Sequence, residues 1–261
     1  MAYFERPARG KVSVVPHRAA LDDPATTAEH ARLIGAKPLL RRFYQESYDF
    51  FMEAAHAAPA GPRLEIGAGG GFFKELMPSL ITSDMVWLPR IDVVTAGERL
   101  CFRDESLAAI FLLNVLHHIP DAASFFSEAR RCLAPGGILA LVEPANTLVS
   151  RFIYKRFHHE PFLPDAPQWQ FRAAGRLSAA NGALPWIVFC RDREEFGRRF
   201  PEFEVRQVNC CSPLLYLLSG GLSLPSLLPG FTAPVIHLAE KLLSPANDLL
   251  GLFMCVVLVR R

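Results

Sequence analysis

The chain has 261 residues, 51% of them hydrophobic and 21% charged, with a formal net charge of +2. That composition excludes a disordered chain and is long enough for one α/β domain with insertions. The near-balanced charge argues against nucleic-acid recognition, because the densest basic group, Arg151, Lys155 and Arg156, is too sparse to track a phosphate backbone.

Residues 1–35 are rich in Pro, Arg and Ala and read as a loosely ordered arm, and residues 36–261 read as a single domain. The first fifteen residues mix charge with proline and lack an apolar signal core, so no secretion is expected. Six cysteines (Cys101, Cys132, Cys190, Cys210, Cys211 and Cys255) form no CxxC pair, and no histidine stands at zinc spacing from them. Reduced thiols in a cytoplasmic protein and no metal centre are the expectation.

Pro38 suits a first helical turn, and Leu39, Leu40, Phe43, Tyr44, Phe50, Phe51 and Ala54 recur at helical spacing. The run Pro59-Ala60-Gly61-Pro62 ends that helix. Residues 63–66 read as a short buried strand, followed by a glycine cluster and a helix through Phe72, Phe73 and Leu76. Residues 80–84, 91–94 and 107–116 predict three further strands, the last buried on both faces. Asp121 is placed to cap a helix carrying Phe125, Phe126, Ala129 and Leu133. After a Pro135-Gly136-Gly137 turn, residues 138–142 form a fifth strand ending at Glu143-Pro144. Alternating strands and helices predict a parallel, doubly wound sheet with its ligand at the carboxyl ends of the strands.

The core thus spans residues 63–145. Residues 146–190 read as an irregular insertion rich in aromatics and histidine. Residues 192–195 resemble a capping box opening a helix with Phe196 and Phe200. Residues 203–208 and 252–259 supply two final strands.

The turn Glu65-Ile66-Gly67-Ala68-Gly69-Gly70-Gly71 carries the chemistry. Glycines between a strand and a helix let backbone approach a ligand closely, and several nucleotide folds use this. No Lys-Ser or Lys-Thr follows, which argues against a phosphate-cradling loop. The third glycine of a dinucleotide fingerprint falls on Phe72, which argues against NAD. Glu65 at the tip of a buried strand needs a partner; a cationic amino-acid cofactor provides one, whereas a pyrophosphate is repelled. Asp84 ends the second strand nineteen residues later, where a carboxylate can accept hydrogen bonds from ribose hydroxyls; capping of the next segment is the plainer alternative.

With these residues in hand, positions 64–144 resemble the class I S-adenosylmethionine-dependent methyltransferases. The matching series is Glu65-x-Gly67-x-Gly69-x-Gly71, Asp84, Leu100-Cys101-Phe102-x-Asp104-x-Ser106, Leu116-His117-His118-Ile119-Pro120-Asp121 and Arg131-x-Leu133-x-Pro135-Gly136-Gly137. It covers about a third of the chain, and its order is more specific than any one member. The resemblance implies a Rossmann-like, mostly parallel seven-stranded sheet with an antiparallel last strand. It implies S-adenosylmethionine as cofactor, with Glu65, Gly67 and Gly69 holding its methionine part, Ala68 and Gly71 in the same turn, and Asp84 on the ribose. Asn114 and Val115 would lie beside it at the end of the fourth strand. Two positions depart from the family pattern. The Asp-Ala pair after the third strand reads Ala96-Gly97, leaving the Gly97 N–H, with Glu98 nearby, to meet the adenine. The usual Asp at the fourth strand is Ala108.

Methyl transfer to a hydroxyl or an acidic carbon benefits from a base. His158, His159 and Glu160, in the insertion where such enzymes place substrate-contacting elements, are the candidates; a structural polar cluster is the competing reading. His117 and His118 read as positioning residues of the cofactor-side loop, and Glu143 as a helix cap or a substrate-ordering group. Residues 207–239 carry no Asp, Glu, Lys or Arg, but prolines 213, 225, 229 and 234 argue against a spanning helix. That stretch fits an apolar lid, a dimer surface or, through 212–236, a peripheral membrane contact. The leading expectation is a methyltransferase for a small-molecule or lipid-linked acceptor. A non-catalytic binding module of the same fold is the alternative.

Overall fold

The computed structural model describes residues 22–158, 160–172, 175 and 179–261. Seven strands form one sheet: β1 (Arg63–Ile66), β2 (Ile81–Asp84), β3 (Val93–Val94), β4 (Leu107–Leu113), β5 (Leu133–Pro144), β6 (Phe203–Cys211) and β7 (Phe253–Arg260). Their order is β3-β2-β1-β4-β5-β7-β6. The first five are parallel, and β7 inserts antiparallel between β5 and β6. The strand order reverses at β1/β4, the place where this topology opens a crevice at the strand ends.

The apolar run of β4 is buried at all seven positions, as a strand covered on both faces requires. One face packs on the helix Pro38–Ala55 (α2), where Phe43, Phe51, Phe73 and Phe111 are fully buried. The other packs on the helix at Ala122–Cys132, whose Phe125 and Phe126 meet at a tilt, with Phe126 edge-on to Phe196. Asp121 caps that helix as expected, its carboxylate accepting from the Ser124 N–H at 3.1 Å.

Five local expectations are corrected. Residues 24–36 are not a loose arm: Asp23 caps α1 (Pro24–Ala36), whose Thr27 and Ile34 are buried. The arm's first 21 residues lie outside the described residues. Helix α3 (Phe73–Leu76) after the glycine turn is a single turn, and α4 is the Ala122–Cys132 helix. The Pro135-Gly136-Gly137 turn lies inside β5, since Leu133 already pairs with Leu107. The insertion is not irregular throughout, because Thr147 and Ser150 form a reciprocal cap that opens α5 (Leu148–Phe157). Asp192, finally, makes no side-chain cap for α6 (Arg193–Arg199). Its carboxylate is drawn instead to the Trp169 indole N–H at 2.8 Å and to Arg191.

The uncharged stretch is broken by its prolines. It forms a short α7 (Leu215–Leu218), a looped crossing and α8 (Ala233–Leu243), which runs on through a tight turn into α9 (Asn247–Leu250). Among the described residues, no helix is long and apolar enough to cross a membrane.

Candidate active site

One cavity of about 1140 Å³ opens at the carboxyl ends of β1, β2 and β4. Its floor is the glycine turn. Gly67 and Gly69 have φ of +68° and +53°, conformations that side-chain-bearing residues rarely adopt. A Cβ on Gly67 would stand 2.5 Å from a Val115 methyl, so only glycine lets the two strand ends come together. The turn is held by the Ala68 N–H donating to the Ser83 carbonyl and the Gly71 N–H to the Ala68 carbonyl, both at 2.9 Å.

Two side-chain oxygens in this wall are buried without a hydrogen-bond partner, Glu65 Oε2 and Asn114 Oδ1. Asn114 takes a left-handed conformation (φ +56°), and it lines the same cavity as Glu65. Burial pushes the Glu65 carboxyl up to about 8. Two orphaned acceptors at neighbouring strand ends are the donor-poor half of a site for a cation with N–H donors. The α-ammonium of S-adenosylmethionine has that chemistry, so the residues present fit the cofactor. Asp84 also faces the cavity and accepts from the Gly69 N–H at 3.4 Å.

Ala96 and Arg99 pair across a tight turn, which puts Gly97 and Glu98 on the cavity wall. A Cβ at Gly97 would lie 2.8 Å from the Ile119 side chain, so glycine sets how closely this turn approaches. Ala108 is buried, with its N–H on the Pro62 carbonyl and its methyl against Gly61, away from the cavity. Arg131 is structural: its guanidinium ties the Leu100 and Phe102 carbonyls and Asp104 to α4. Helix α1 forms a further wall, with Thr27 beside Gly69. The sequence offered one signal for that helix, Asp23 followed by Pro24.

At the far wall, the structure joins residues that sequence reading kept apart. Glu143, fully buried, accepts from the Val115 and Leu116 N–H groups at 2.8 and 2.6 Å, capping the tight turn Leu116–His118. Its second oxygen meets His117 Nδ1 at 2.6 Å. His117 Nε2 lies 3.3 Å from Glu160, and His118 Nε2 lies 3.5 Å from the other Glu160 oxygen. His158 Nδ1 accepts from the Glu160 N–H at 3.3 Å and is 3.7 Å from its carboxylate. Of the predicted trio, Glu160 and His158 are therefore together, with Glu160 at the centre; His159 lies outside the described residues. The partners the sequence reading did not assign to this group are His117 and His118.

Burial alone would lower the His117 pKa, but the two carboxylates flanking it win and raise it to about 10. For Glu160 burial acts upward, and the hydrogen bond and charge of His117 outweigh it, holding the carboxyl well below its ordinary value. His118 is lowered to about 4, first by burial and then by the charge of His117. His118 Nδ1 is 3.1 Å from the Ala179 carbonyl, which can only accept. The ring proton therefore sits on Nδ1, and Nε2 keeps a lone pair beside Glu160. Backbone bonds from Asn181 to the His117 carbonyl and from Gly182 to the Pro161 carbonyl clamp this part of the insertion onto the histidine turn. His117, His118 and Glu160 place three ligand-type atoms within 4.8 Å of one another, a donor set that also suits a divalent metal.

Residues 64–141 match the family model described as a methyltransferase domain. A ubiquinone biosynthesis O-methyltransferase from Xanthomonas axonopodis pv. citri (strain 306) is 25% identical, over 51% of this chain and 71% of its own. Among solved structures, geranyl diphosphate C-methyltransferase from Streptomyces coelicolor A3(2) is similar with a TM-score of 0.51 at 16% identity, covering 99% of this chain and 91% of that one. Phosphoethanolamine N-methyltransferase 2 from Haemonchus contortus also reaches 0.51 at 15% identity, over 95% and 60%. Residues 64–141 carry a methyltransferase domain, and the fold together with that domain supports a class I S-adenosylmethionine-dependent methyltransferase. It is an enzyme whose cofactor is S-adenosylmethionine.

Proposed function

We propose that the enzyme methylates a hydroxyl or acidic carbon of a small, largely apolar or lipid-linked acceptor, with the His118–Glu160 pair receiving the acceptor's proton. One observation carries this reading: a single cavity contains both the orphaned Glu65 and Asn114 acceptors and the His118–Glu160 pair. Its volume of about 1140 Å³ exceeds that of an ordinary single-ligand pocket, about 300–1,000 Å³, so it has room for cofactor and acceptor together.

Glu65 and Asn114 would hold the cofactor's ammonium, the Gly67–Gly69 backbone its carboxylate, and Asp84 its ribose, with Ala68, Gly71 and Val115 shaping the surrounding wall. Gly97 and Glu98 would flank the adenine. The cofactor supplies an electrophilic methyl on a sulfonium, and the protein's task is to align the acceptor with it and exclude water. Ile153, Phe157, Phe162, Leu217 and Leu222 give the acceptor half of the cavity apolar walls. The acceptor would gain the methyl as the carbon–sulfur bond breaks and the cofactor's sulfur keeps that electron pair as a neutral thioether, while His118 Nε2 would take the proton released from the acceptor's O–H or C–H bond. Glu160, a carboxylate 3.5 Å away, then balances the new imidazolium. His117 stays charged and holds Glu160 in place. The 25% identical relative that methylates oxygen agrees with a hydroxyl acceptor but does not fix its structure.

The test is turnover on paired acceptors that share one phenolic or enolic headgroup and differ in an apolar tail. Efficiency should rise with tail length. Turnover of polar acceptors with no gain from the tail would overturn the proposal.

A further inference from the structure

Helices α5, α8 and α9 present a face that nothing in the structure covers. On α8, Val235, Leu238 and Leu242 fall on one side at helical spacing and are 70%, 58% and 74% exposed, with Phe231 just before them at 83%. The buried side of α8 is accounted for separately, since Ile236 enters the core and Glu240 accepts from the Leu214 and Leu215 N–H groups. Helix α9 adds the exposed Leu249 and packs against α5, a neighbouring helix with exposed apolar residues of its own. There Leu148, Phe152 and Phe157 stand out, interleaved with exposed Arg151, Lys155 and Arg156. Across the three helices, Asp248 is the one exposed acidic residue.

An aliphatic and aromatic ridge beside a cluster of basic residues, on helices too short to span, is the composition of a helix that lies in a bilayer interface. The cavity also opens here: Phe157 and Leu224 line it and are 71% and 58% exposed. A second copy of the chain fits this face less well. A two-fold contact buries the same patch of both copies, so it would bring two sets of Arg151, Lys155 and Arg156 into one interface with only Asp248 of each copy as an exposed acidic residue.

We propose that this face docks on a membrane surface carrying anionic headgroups, bringing the cavity mouth against the acyl boundary from which a lipid-linked acceptor enters. The apolar side chains would insert, and the α5 cations would pair with the headgroup layer. The docking gives a physical route for the acceptor class proposed above and rests on that reading only for its purpose, because membrane binding itself requires neither acceptor nor cofactor.

The experiment is co-sedimentation of the full chain with vesicles of phosphatidylcholine alone or with phosphatidylglycerol added, without cofactor. Strong binding is expected to the mixed vesicles, weak binding to the neutral ones, and a fall as salt is raised. The combined variant Phe231→Ser/Leu238→Ser/Leu242→Ser, at exposed positions outside the cavity, should lower the partition coefficient at least about tenfold. It should still methylate a short-tailed soluble acceptor at the wild-type rate. Absence of binding to both vesicle types, or binding unchanged by the variant, would overturn the docking surface while leaving methyl transfer untouched. So would an ultracentrifugation profile in which the wild type is a dimer and the variant a monomer, since the face would then belong to a second copy. If the soluble acceptor is not methylated but vesicles are bound, the failure lies in the acceptor reading.

Discussion

Replacing Glu65 by Gln keeps the shape of the protonated side chain and removes its titration. In the folded chain burial lifts this carboxyl from 4.5 to about 8. Between those values the unfolded chain has released its proton and the folded chain still holds one, so stability falls as pH rises through that window. At ~1.36 kcal/mol per pH unit, the loss accumulated on reaching about pH 7 is on the order of 3 kcal/mol. Glu65→Gln should therefore stabilise the cofactor-free protein by roughly that amount near neutral pH and by almost nothing near pH 4. Addition of S-adenosylmethionine should reverse the order. Wild-type Glu65 ionises against the cofactor's ammonium and gains, while the amide of the variant cannot balance that charge. Thermal unfolding with and without cofactor across this pH range checks the sign. Calorimetry in buffers of different ionisation enthalpy should show proton release on wild-type binding at about pH 7, absent in the variant. A variant no more stable than the wild type at neutral pH would refute the claim that Glu65 is an unsatisfied buried acid awaiting a cation.

His118→Ala should lower kcat by about 10²–10⁴ while leaving cofactor affinity within about twofold, a split read from single-turnover rates and equilibrium binding. With His118 held near 4, its neutral form persists at all higher pH, so its acid limb in the rate profile should fall near pH 4 rather than near 6.5. Its depressed pKa also means that stability present above about 6.5 is lost as pH falls toward about 4, measurable by denaturant titration. Gly69→Arg should abolish cofactor binding, since φ is +53° there and the new side chain must pass Thr27 or enter the cavity; isothermal titration with heat like the wild type's would contradict this. Removing residues 1–36 should weaken S-adenosylmethionine binding at least about tenfold with little change in unfolding temperature, because α1 walls the cavity but lies outside the sheet's core.

The sheet was legible because each strand announced itself locally. The seven apolar residues of β4 and the glycines after β1 need no distant partner to be read, and the antiparallel β7 followed from the family resemblance. Helix α1 was obscured because its composition is dominated by Ala, Thr and charged residues, and only Thr27 and Ile34 are buried. Its stripe is too thin to register as a period. The Asp192 cap failed for the opposite reason: a strong local signal lost to tertiary partners, the Trp169 indole and Arg191, that sequence spacing does not reveal. The cluster proposed for the acceptor side was half legible. His158 and Glu160 are neighbours in the chain, but His118 reaches Glu160 only because β5 carries Glu143 under the histidine turn and the Asn181–Gly182 backbone clamps the insertion onto it.

Glu143 shows why the two halves of the cavity hold a fixed register. One of its oxygens fixes the backbone at Val115 and Leu116, and the other fixes the His117 ring. Val115 is the residue against which Gly67 closes, so the cofactor-side turn is referred to that first oxygen. His117 directs its remaining nitrogen to Glu160, and Glu160 in turn faces His118, so the side proposed for the acceptor is referred to the second. In-line methyl transfer tolerates little error in the distance between nucleophile and methyl carbon. A single buried carboxylate bonded to both sides limits that error better than two loops positioned independently. The fully buried side chain at the end of β5 does not line the cavity, so on the proposed function it would act through the geometry of its neighbours.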